Sequence, residues 1–208
     1  MQKTRVQEAD NFKHFDSTEV LTPEFFQPSV GTTLRYRESN YVMDRPDNVF
    51  NSIVSKFACS SPNTFDVYPY PKDMPNTIGY MLQLRIANDY VQVRRGNGGT
   101  FGDWNRIIKI GAKKGDSWFD KECGCQYRLL EISTEEYPKA TIEVMKTTNL
   151  NDDVSTSPFP LEPYLGGEGT KYILEFQAGK GLSKCESYFK DQEFGWMKMG
   201  TQELIQSE

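Results

Sequence analysis

Four cysteines are the residues of this 208-residue chain whose chemistry depends most directly on spacing. Cys123 and Cys125 flank a single glycine, whereas Cys59 and Cys185 are isolated. Four thiolates could hold zinc or form two disulfides, but structural zinc sites commonly use cysteines separated by two residues. On a strand, Cys123 and Cys125 would project from one face, and Cys185 could lie opposite one of them on a neighbouring strand. We therefore expect packing cysteines or disulfides, and no metal site.

The chain has one histidine, His14, and it lies in a polar N-terminal stretch. Serine and cysteine triads and most catalytic zinc sites depend on histidine, so these classes are excluded. The glycine-rich strings RRGNGGTFGDW (94–104) and QAGKGLS (177–183) precede strand-like segments, whereas a phosphate-binding loop precedes a helix. We predict no catalytic residue of these classes, no nucleotide site and no cofactor.

Carboxylates are numerous enough to leave one enzymatic alternative open. A glycosidase needs two acidic side chains facing each other across a cleft, with an aromatic platform such as Trp104 or Trp118 for the sugar. The acidic residues considered are Glu131, Glu135, Glu136, Glu143, Asp152, Asp153, Glu162 and Glu168. Sequence alone does not place any two of them across a cleft, so we expect a protein that is not an enzyme.

Charge and hydropathy restrict the partners. The net charge is −5 and the isoelectric point is near 5.1, which gives no basic field for nucleic acid. No stretch approaches the roughly 20 apolar residues of a transmembrane helix. The N-terminus lacks the apolar core of a signal peptide. We expect a cytoplasmic protein if Met1 is the native start, and an exported or cell-envelope protein if a leader was removed.

The pattern along the chain is that of strands. Runs of 5 to 11 residues with period-two alternation recur between Gly, Pro, Asn and Asp. In the first of them, Leu34 and Tyr36 fall on one side. ANDY (87–90) and QAGKG (177–181) have the composition of tight hairpin turns. We predict a mainly β fold: an antiparallel meander of about ten strands forming a curved sheet, half-barrel or barrel, with little helix.

The sequence also predicts how the chain is divided into an N-terminal arm, a domain and two long loops. Residues 1–22 are predicted to form a flexible N-terminal arm, and residues 23–208 a single β-rich domain. Two Pro-rich segments, 60–77 and 149–169, are interpreted as surface loops. Because loops of that length often cover or bind something, Phe159 and Tyr164 in the second loop are candidate rim residues of a ligand site, together with Trp104 and Trp118.

Three phrases support a resemblance to a known group. They are FFQPSVGTTLRY (25–36), KKGDSW (113–118) and FQAGKGLSKCESY (176–188). In this order they resemble an uncharacterised bacterial β-rich family, often exported or lipid-anchored, with G-x-x-W-x-Y, G-x-x-W and G-[VL]-G-L-V-x-x-E motifs. Leu34 stands where the family has tryptophan, and Lys180 interrupts the closing motif. The resemblance implies an antiparallel sheet curled as a half-barrel, and no catalytic residue.

The function expected from these observations is therefore binding or structural support. A curved sheet rich in aromatic residues, without acid-base machinery, favours a noncatalytic module. Such a sheet could hold an apolar small molecule or a protein partner on its concave side. A sheet interior filled by the protein's own side chains would argue against binding of a small molecule, but it would be compatible with binding of a protein partner.

Overall fold

The computed structural model describes most of the chain, and the fold can be followed through it. The described residues are 20–26, 31–41, 47–56, 64–70, 81–97, 100–101, 103–121, 124–133, 137–146 and 169–207. They form antiparallel strands and one 3-10 helix, Pro23–Phe25. The mainly β prediction is confirmed, with thirteen strands in the described residues instead of about ten.

The strands follow the chain in order. They are β1 (Thr33–Asn40), β2 (Asn48–Lys56), β3 (Thr64–Tyr70), β4 (Met81–Ala87), β5 (Tyr90–Asn97), β6 (Thr100–Phe101), β7 (Asn105–Lys109), β8 (Ser117–Asp120), β9 (Cys125–Ser133), β10 (Lys139–Lys146), β11 (Thr170–Gln177), β12 (Gly181–Asp191) and β13 (Gly195–Ser207).

The sheet consists of two meanders joined at their middle. Strands β1 to β5 pair in sequence, and both β6 and β7 pair with β5. Strands β8 to β13 form the second meander, and β13 pairs antiparallel with β1. The last strand of the chain therefore completes the sheet beside the first, while β7 and β8 stand at its opposite ends.

The short link between β7 and β8 requires the sheet to curl. Laid flat, the two ends would be about 50 Å apart, since neighbouring strands are about 4.8 Å apart. The chain from Lys109 to Ser117 can span at most about 28 Å, even fully extended. Register shifts, as between Thr141 and Ile142, provide local bending. No ladder pairs β7 with β8 in the described residues, so the sheet is curved and not closed.

The core lies on the inner side of this curve. Buried and half-buried side chains alternate throughout β11 and along β10 as far as Met145, as the two-residue period of a strand requires. The fully buried side chains include Tyr127, Leu129, Ile142 and Leu174. Strands β5 and β7 contribute Val91, Val93, Ile107 and Ile108 to the same cluster. The two ends of the sheet therefore share one hydrophobic core.

Residues 20–26 belong to no strand of the sheet, but their apolar side chains pack into that core. Val20 forms an isolated bridge with Lys113, and the Leu21 amide donates to the Ala112 carbonyl at 2.9 Å. Leu21, Phe25 and Phe26 are no more than 3% exposed. Of the predicted flexible arm, only residues 20–22 lie within the described residues, and Leu21 there is fully buried.

The two hairpin turns predicted from the sequence are present. Asn88 and Asp89 have φ values of 52° and 60°, the left-handed conformation that a two-residue turn between twisted strands requires. The turn between β11 and β12 places Gly179 and Gly181 at positive φ. The local composition was sufficient in both cases, because turn chemistry acts over two to four residues.

The prediction of a loop over residues 60–77 is wrong in part, because Thr64–Tyr70 forms β3. The proline content obscured the alternation. Proline is excluded from strands that pair on both sides, yet among the described residues β4 pairs with Thr64–Val67 alone, so Pro69 lies where β3 has one described partner. The predicted loop at 149–169 lies outside the described residues, except Gly169.

Candidate functional site

The four predicted rim residues do not form a common site in the described structure. Phe159 and Tyr164 lie outside the described residues. Trp118 is a core residue, 6% exposed, whereas Trp104 is half-buried on the opposite face of the sheet from the core. Among the predicted rim residues that the structure describes, only Trp104 is available to a partner.

Trp118, one of the predicted rim residues, is a core residue whose side chain packs in the interior. Its indole Nε1 donates to the Ile107 carbonyl at 3.2 Å, across the gap between β8 and β7. Its ring is parallel to that of Tyr127, with centroids 5.7 Å apart. A buried indole N–H needs an acceptor, and here that acceptor holds the two ends of the sheet together.

Two of the four cysteines are described, and both face the core. Cys185 on β12 is a fully buried free thiol, and Cys125 on β9 is also buried. The strand order places β10 and β11 between them, so Cys185 does not lie opposite Cys125 as predicted. Three strand spacings, about 14 Å, exclude both a disulfide and a shared metal ion between these two. Cys59 and Cys123 lie outside the described residues.

The thiol of Cys185 is chemically inactive in this position. Burial raises its pKa, and the charge of neighbouring Glu186 raises it further. The thiolate, and not the thiol, is the nucleophile and the metal ligand. Cys185 is buried among the core residues as a free thiol.

The acidic residues of the outer face are bound in cross-strand pairs. Glu175 accepts from Lys139 at 3.0 Å and from the Ser183 hydroxyl at 2.9 Å. Glu143 pairs with Arg128 at 2.8 Å. Of the carboxylates named as candidates from the sequence, only Glu131 and Glu143 lie within the described residues. In those residues, no three His, Cys, Asp or Glu side chains converge to hold a metal ion.

Trp104 lies against two arginines. The guanidinium carbon of Arg85 is 4.1 Å from the centre of the indole, and that of Arg94 is 4.5 Å from it. Both distances are well within the roughly 6 Å over which a cation is attracted to an aromatic face. We call Arg85, Trp104 and Arg94 the arginine–tryptophan stack.

The β4–β5 hairpin places the two arginines on the outer face. Arg85 pairs in register with Gln92, and directly opposed residues of antiparallel strands project from the same face. Arg94 is two residues beyond Gln92 and shares that face. Leu84 and Val93, on the other face of the same strands, pack against the core. The stack is thus separated from the core by the thickness of the sheet.

A buried glutamine fixes the direction of Arg85. Gln92 is only 3% exposed although it is on the outer face, and its Oε1 accepts from Arg85 Nε at 2.8 Å. Its side-chain amide donates to the Ala87 carbonyl at 3.4 Å. Burial lowers the pKa of Arg85, and the like charge of Arg94 lowers it further. The site therefore holds two positive charges close together.

A third arginine adjoins the stack. Arg106 on β7 pairs in register with Gln92, so it lies on the next strand beside the glutamine. It is exposed, and its guanidinium carbon is 5.4 Å from the centre of the Tyr90 ring. Strands β4, β5 and β7 therefore each contribute one arginine near Gln92 or Trp104.

Sequence reasoning identified Trp104 and missed its partners. The string RIANDYVQVRR (85–95) contained a usable signal, because a two-residue turn at Asn88 and Asp89 sets Arg85 opposite Gln92. The contact between Trp104 and these residues depends on the path of the chain from β5 to β7, and no local sequence pattern encodes that path.

Comparisons with known proteins add one distant likeness. Neither a protein-family model nor a curated protein matches this chain. Among solved structures, the chain is similar to a Bacteroides fragilis protein that is inferred to be exported and has a YmcC-like fold. The similarity covers 88% of this chain and 98% of the other, with 11% identity and a TM-score of 0.41. At that level it carries no statement about function.

The described residues contain no helix with the length and hydropathy of a transmembrane span.

Proposed function

We propose that this protein is a noncatalytic binding module whose ligand is a protein partner. The observation that carries the proposal is the filling of the concave side by the chain's own residues. Phe26 packs edge-on against Phe176 on β11, with ring centroids 4.8 Å apart. Leu21 and Phe26 are both almost completely excluded from solvent. An apolar small molecule would compete with residues 20–26 for this space.

The state of the described carboxylates supports a noncatalytic role. Burial by itself would raise the pKa of Glu186, but hydrogen bonds from Lys198, Lys184 and Tyr188 outweigh burial and hold it at about 2. The general acid of a glycosidase requires a raised pKa instead. Glu175 and Glu143 are likewise paired with basic side chains. We therefore favour binding over the carboxylate-based enzyme.

We also propose that the resemblance to the bacterial β-rich family reflects shared turn positions. The glycines of the three quoted phrases adopt positive φ: Gly31 at 88°, Gly115 at 91°, Gly179 at 75° and Gly181 at 77°. Such backbone conformations favour glycine strongly over other residues. The motifs then encode turns of the sheet, which supports a structural meaning for them and no catalytic one.

A fluorescent long-chain fatty acid tests which kind of ligand the module takes. We expect no saturable, equimolar binding to the wild-type protein, because residues 20–26 occupy the interior. Phe26→Ala is the matched variant, since it opens space in the same place, and Phe194→Ala on the surface is its control. Equimolar binding by the wild type would overturn the partner version. Hydrolysis of chromogenic glycosides that is lost in Glu175→Gln would overturn the noncatalytic role.

A further inference from the structure

The arginine–tryptophan stack has the features of a prepared recognition surface. Trp104 is half-buried, and the guanidinium carbons of Arg85 and Arg94 lie 4.1 and 4.5 Å from the centre of its indole ring. The two positive charges are therefore close together. Bringing two like charges this close is unfavourable unless something offsets the repulsion. Stacking on the indole offsets part of it. An anion hydrogen-bonded to Arg85 would offset more.

Arg85 is held ready to donate. Its Nε donates to the buried Gln92, and its guanidinium carbon lies over the Trp104 ring, 4.1 Å from the centre. These two contacts restrict the side chain, while its Nη atoms donate to no acceptor among the described residues. The Nη groups carry the remaining guanidinium N–H donors, so these stay available to a ligand. A ligand therefore meets an arginine whose side-chain entropy has already been lost.

The geometry of an arginine edge selects the chemistry of the ligand. A guanidinium group presents its N–H donors as a planar fork, which matches the two oxygens of a carboxylate. Arg94 and Arg106 extend the positive charge along strands β5 and β7. Three arginines on neighbouring strands suit a run of acidic side chains better than one isolated anion.

We propose that the arginine–tryptophan stack is the docking site for a short acidic segment of a partner protein. This inference rests on the proposed partner-binding function and names the partner's chemistry. Carboxylates of the segment accept hydrogen bonds from the Nη groups of Arg85, beside the charge of Arg94. Gln92 acts as a positioning residue, because it sets the direction of Arg85 and is too buried to touch the ligand itself.

Nucleic acid fits the same surface less well. Single-stranded nucleic acid is bound largely by stacking bases on exposed aromatic faces, whereas the face of Trp104 is already in contact with two guanidinium groups. The net charge of −5 also disfavours a long polyanion. A short acidic segment needs neither a free aromatic face nor a broad basic field.

The three tryptophans allow a direct test on the intact chain. Protein labelled with 5-fluorotryptophan is titrated with capped hexaglutamate and followed by fluorine NMR, with capped hexaglutamine as the uncharged control. We expect the Trp104 signal, assigned with Trp104→Phe, to shift saturably with hexaglutamate alone. Trp196 lies under Lys171 at 4.7 Å, and is an internal control for a cation above an indole elsewhere on the surface. The buried Trp118 reports that the fold is intact.

Substitutions of Arg85 separate the contribution of its planar donor geometry to binding from the contribution of its charge. We expect Arg85→Ala to weaken hexaglutamate binding at least about 10-fold, the scale of one hydrogen-bonded charge pair. Arg85→Lys keeps the charge but loses the planar fork, and we expect an intermediate loss. Lys171→Ala removes a cation from the Trp196 site and is expected to leave the affinity unchanged. Binding of the wild type should weaken as salt is added.

Several results would overturn the docking proposal. They are an equal shift with hexaglutamine, full affinity in Arg85→Ala with an unchanged Trp118 signal, or tighter binding of oligothymidylate than of hexaglutamate. Equally tight binding of acetate would reduce the stack to a simple anion site. If neither hexaglutamate nor the fatty acid binds, the docking site is wrong, but the proposed binding function is retained and the partner docks elsewhere. Fatty-acid binding by the wild type would instead remove the proposed function itself.

Discussion

Glu186 on β12 accepts hydrogen bonds from three side chains on the outer face of the sheet. Lys198 and Lys184 contact its Oε1 at 2.7 and 2.9 Å, and the Tyr188 hydroxyl donates to its Oε2 at 2.7 Å. Burial opposes ionisation, yet these bonds lower its pKa to about 2. A carboxylate held ionised in this way joins β12 to β13 and does not transfer protons near neutral pH.

The pH dependence of stability should reveal this cluster. A carboxyl whose pKa is lower in the folded state stabilises the protein above its unfolded value, near 4.5, and loses this effect as the pH falls toward about 2. We expect Glu186→Gln to lower the free energy of unfolding at pH 7 by about 1 kcal/mol, allowing for solvent screening. Urea unfolding at pH 7 and pH 2.5 measures it.

The difference between Glu186→Gln and wild type should shrink at pH 2.5, because the carboxyl is largely protonated in the unfolded chain there and the pH approaches its folded pKa of about 2. Glu131→Gln is the control, because Glu131 is an exposed acid on β9. Identical pH profiles for Glu186→Gln and the wild type would show that the three hydrogen bonds add nothing to stability.

Strand β8 shows why residue type alone does not decide which side chains are buried. Along Ser117–Asp120 the buried positions are Trp118 and Asp120, and Phe119 is 52% exposed. The period of two puts Trp118 and Asp120 on one face, but hydropathy favours burying both aromatic residues. The choice of face was made by acceptors and donors on β7: Asp120 Oδ2 accepts from the Arg106 amide at 2.6 Å. Those partners lie on another strand, so the alternation within Ser117–Asp120 does not reveal them.

At the scale of elements, residues 20–26 act as an additional layer over the sheet. The segment crosses the core beside the β7–β8 link, with backbone hydrogen bonds between Leu21 and both Gly111 and Ala112. Its sequence, with Leu21, Phe25 and Phe26 around a 3-10 helix, buries three large apolar side chains in seven residues. A sheet that curls leaves an interior to be filled, and this segment fills part of it.

Removing one of those side chains should be costly. We expect Phe26→Ala to destabilise the fold by about 3–5 kcal/mol, the usual range for a buried phenylalanine. Phe194→Ala, at a position 72% exposed, should change stability by less than about 0.5 kcal/mol. Thermal and urea unfolding compare the two. A loss of under about 1 kcal/mol in Phe26→Ala would show that residues 20–26 pack only loosely on the sheet.

Elements were predictable to the extent that their signals are local. The β4–β5 hairpin follows from Asn88 and Asp89 between two alternating runs, and the structure confirms it. β3 was missed because Pro69 argues against a strand that is paired on both sides. Whether a strand has one neighbour or two at a given residue depends on the length of the adjacent strand, which is a tertiary property.

At the scale of the whole molecule, the two ends of the sheet meet with no ladder between them in the part of the chain that the structure describes. The contacts that span them are Trp118 Nε1 to the Ile107 carbonyl and Asp120 to the Arg106 amide. We call this β7–β8 contact the seam. Strands β5 and β7 supply side chains to the same core as β9 to β12, so opening the seam would expose that core to water.

Weakening the seam should be visible in hydrogen exchange. Asp120→Ala removes a buried acceptor, and we expect faster exchange of the Arg106 amide together with a loss of about 1.5–3 kcal/mol in stability. Asp116→Ala is the matched control, since Asp116 also accepts from a backbone amide, that of Lys113, but in an exposed turn. Unchanged protection of Arg106 in Asp120→Ala would mean that the core alone keeps the two ends together.

The sequence by itself determined the secondary-structure class and several turns. These follow from period-two alternation, from turn residues and from composition, which act locally or on average. Only the tertiary structure decided that Trp118 and Cys185 are core residues, that residues 20–26 fill the interior, and that Trp104 lies against Arg85 and Arg94. Each of these depends on which distant segments meet when the sheet curls, and the curl is imposed by a short link that joins its two ends.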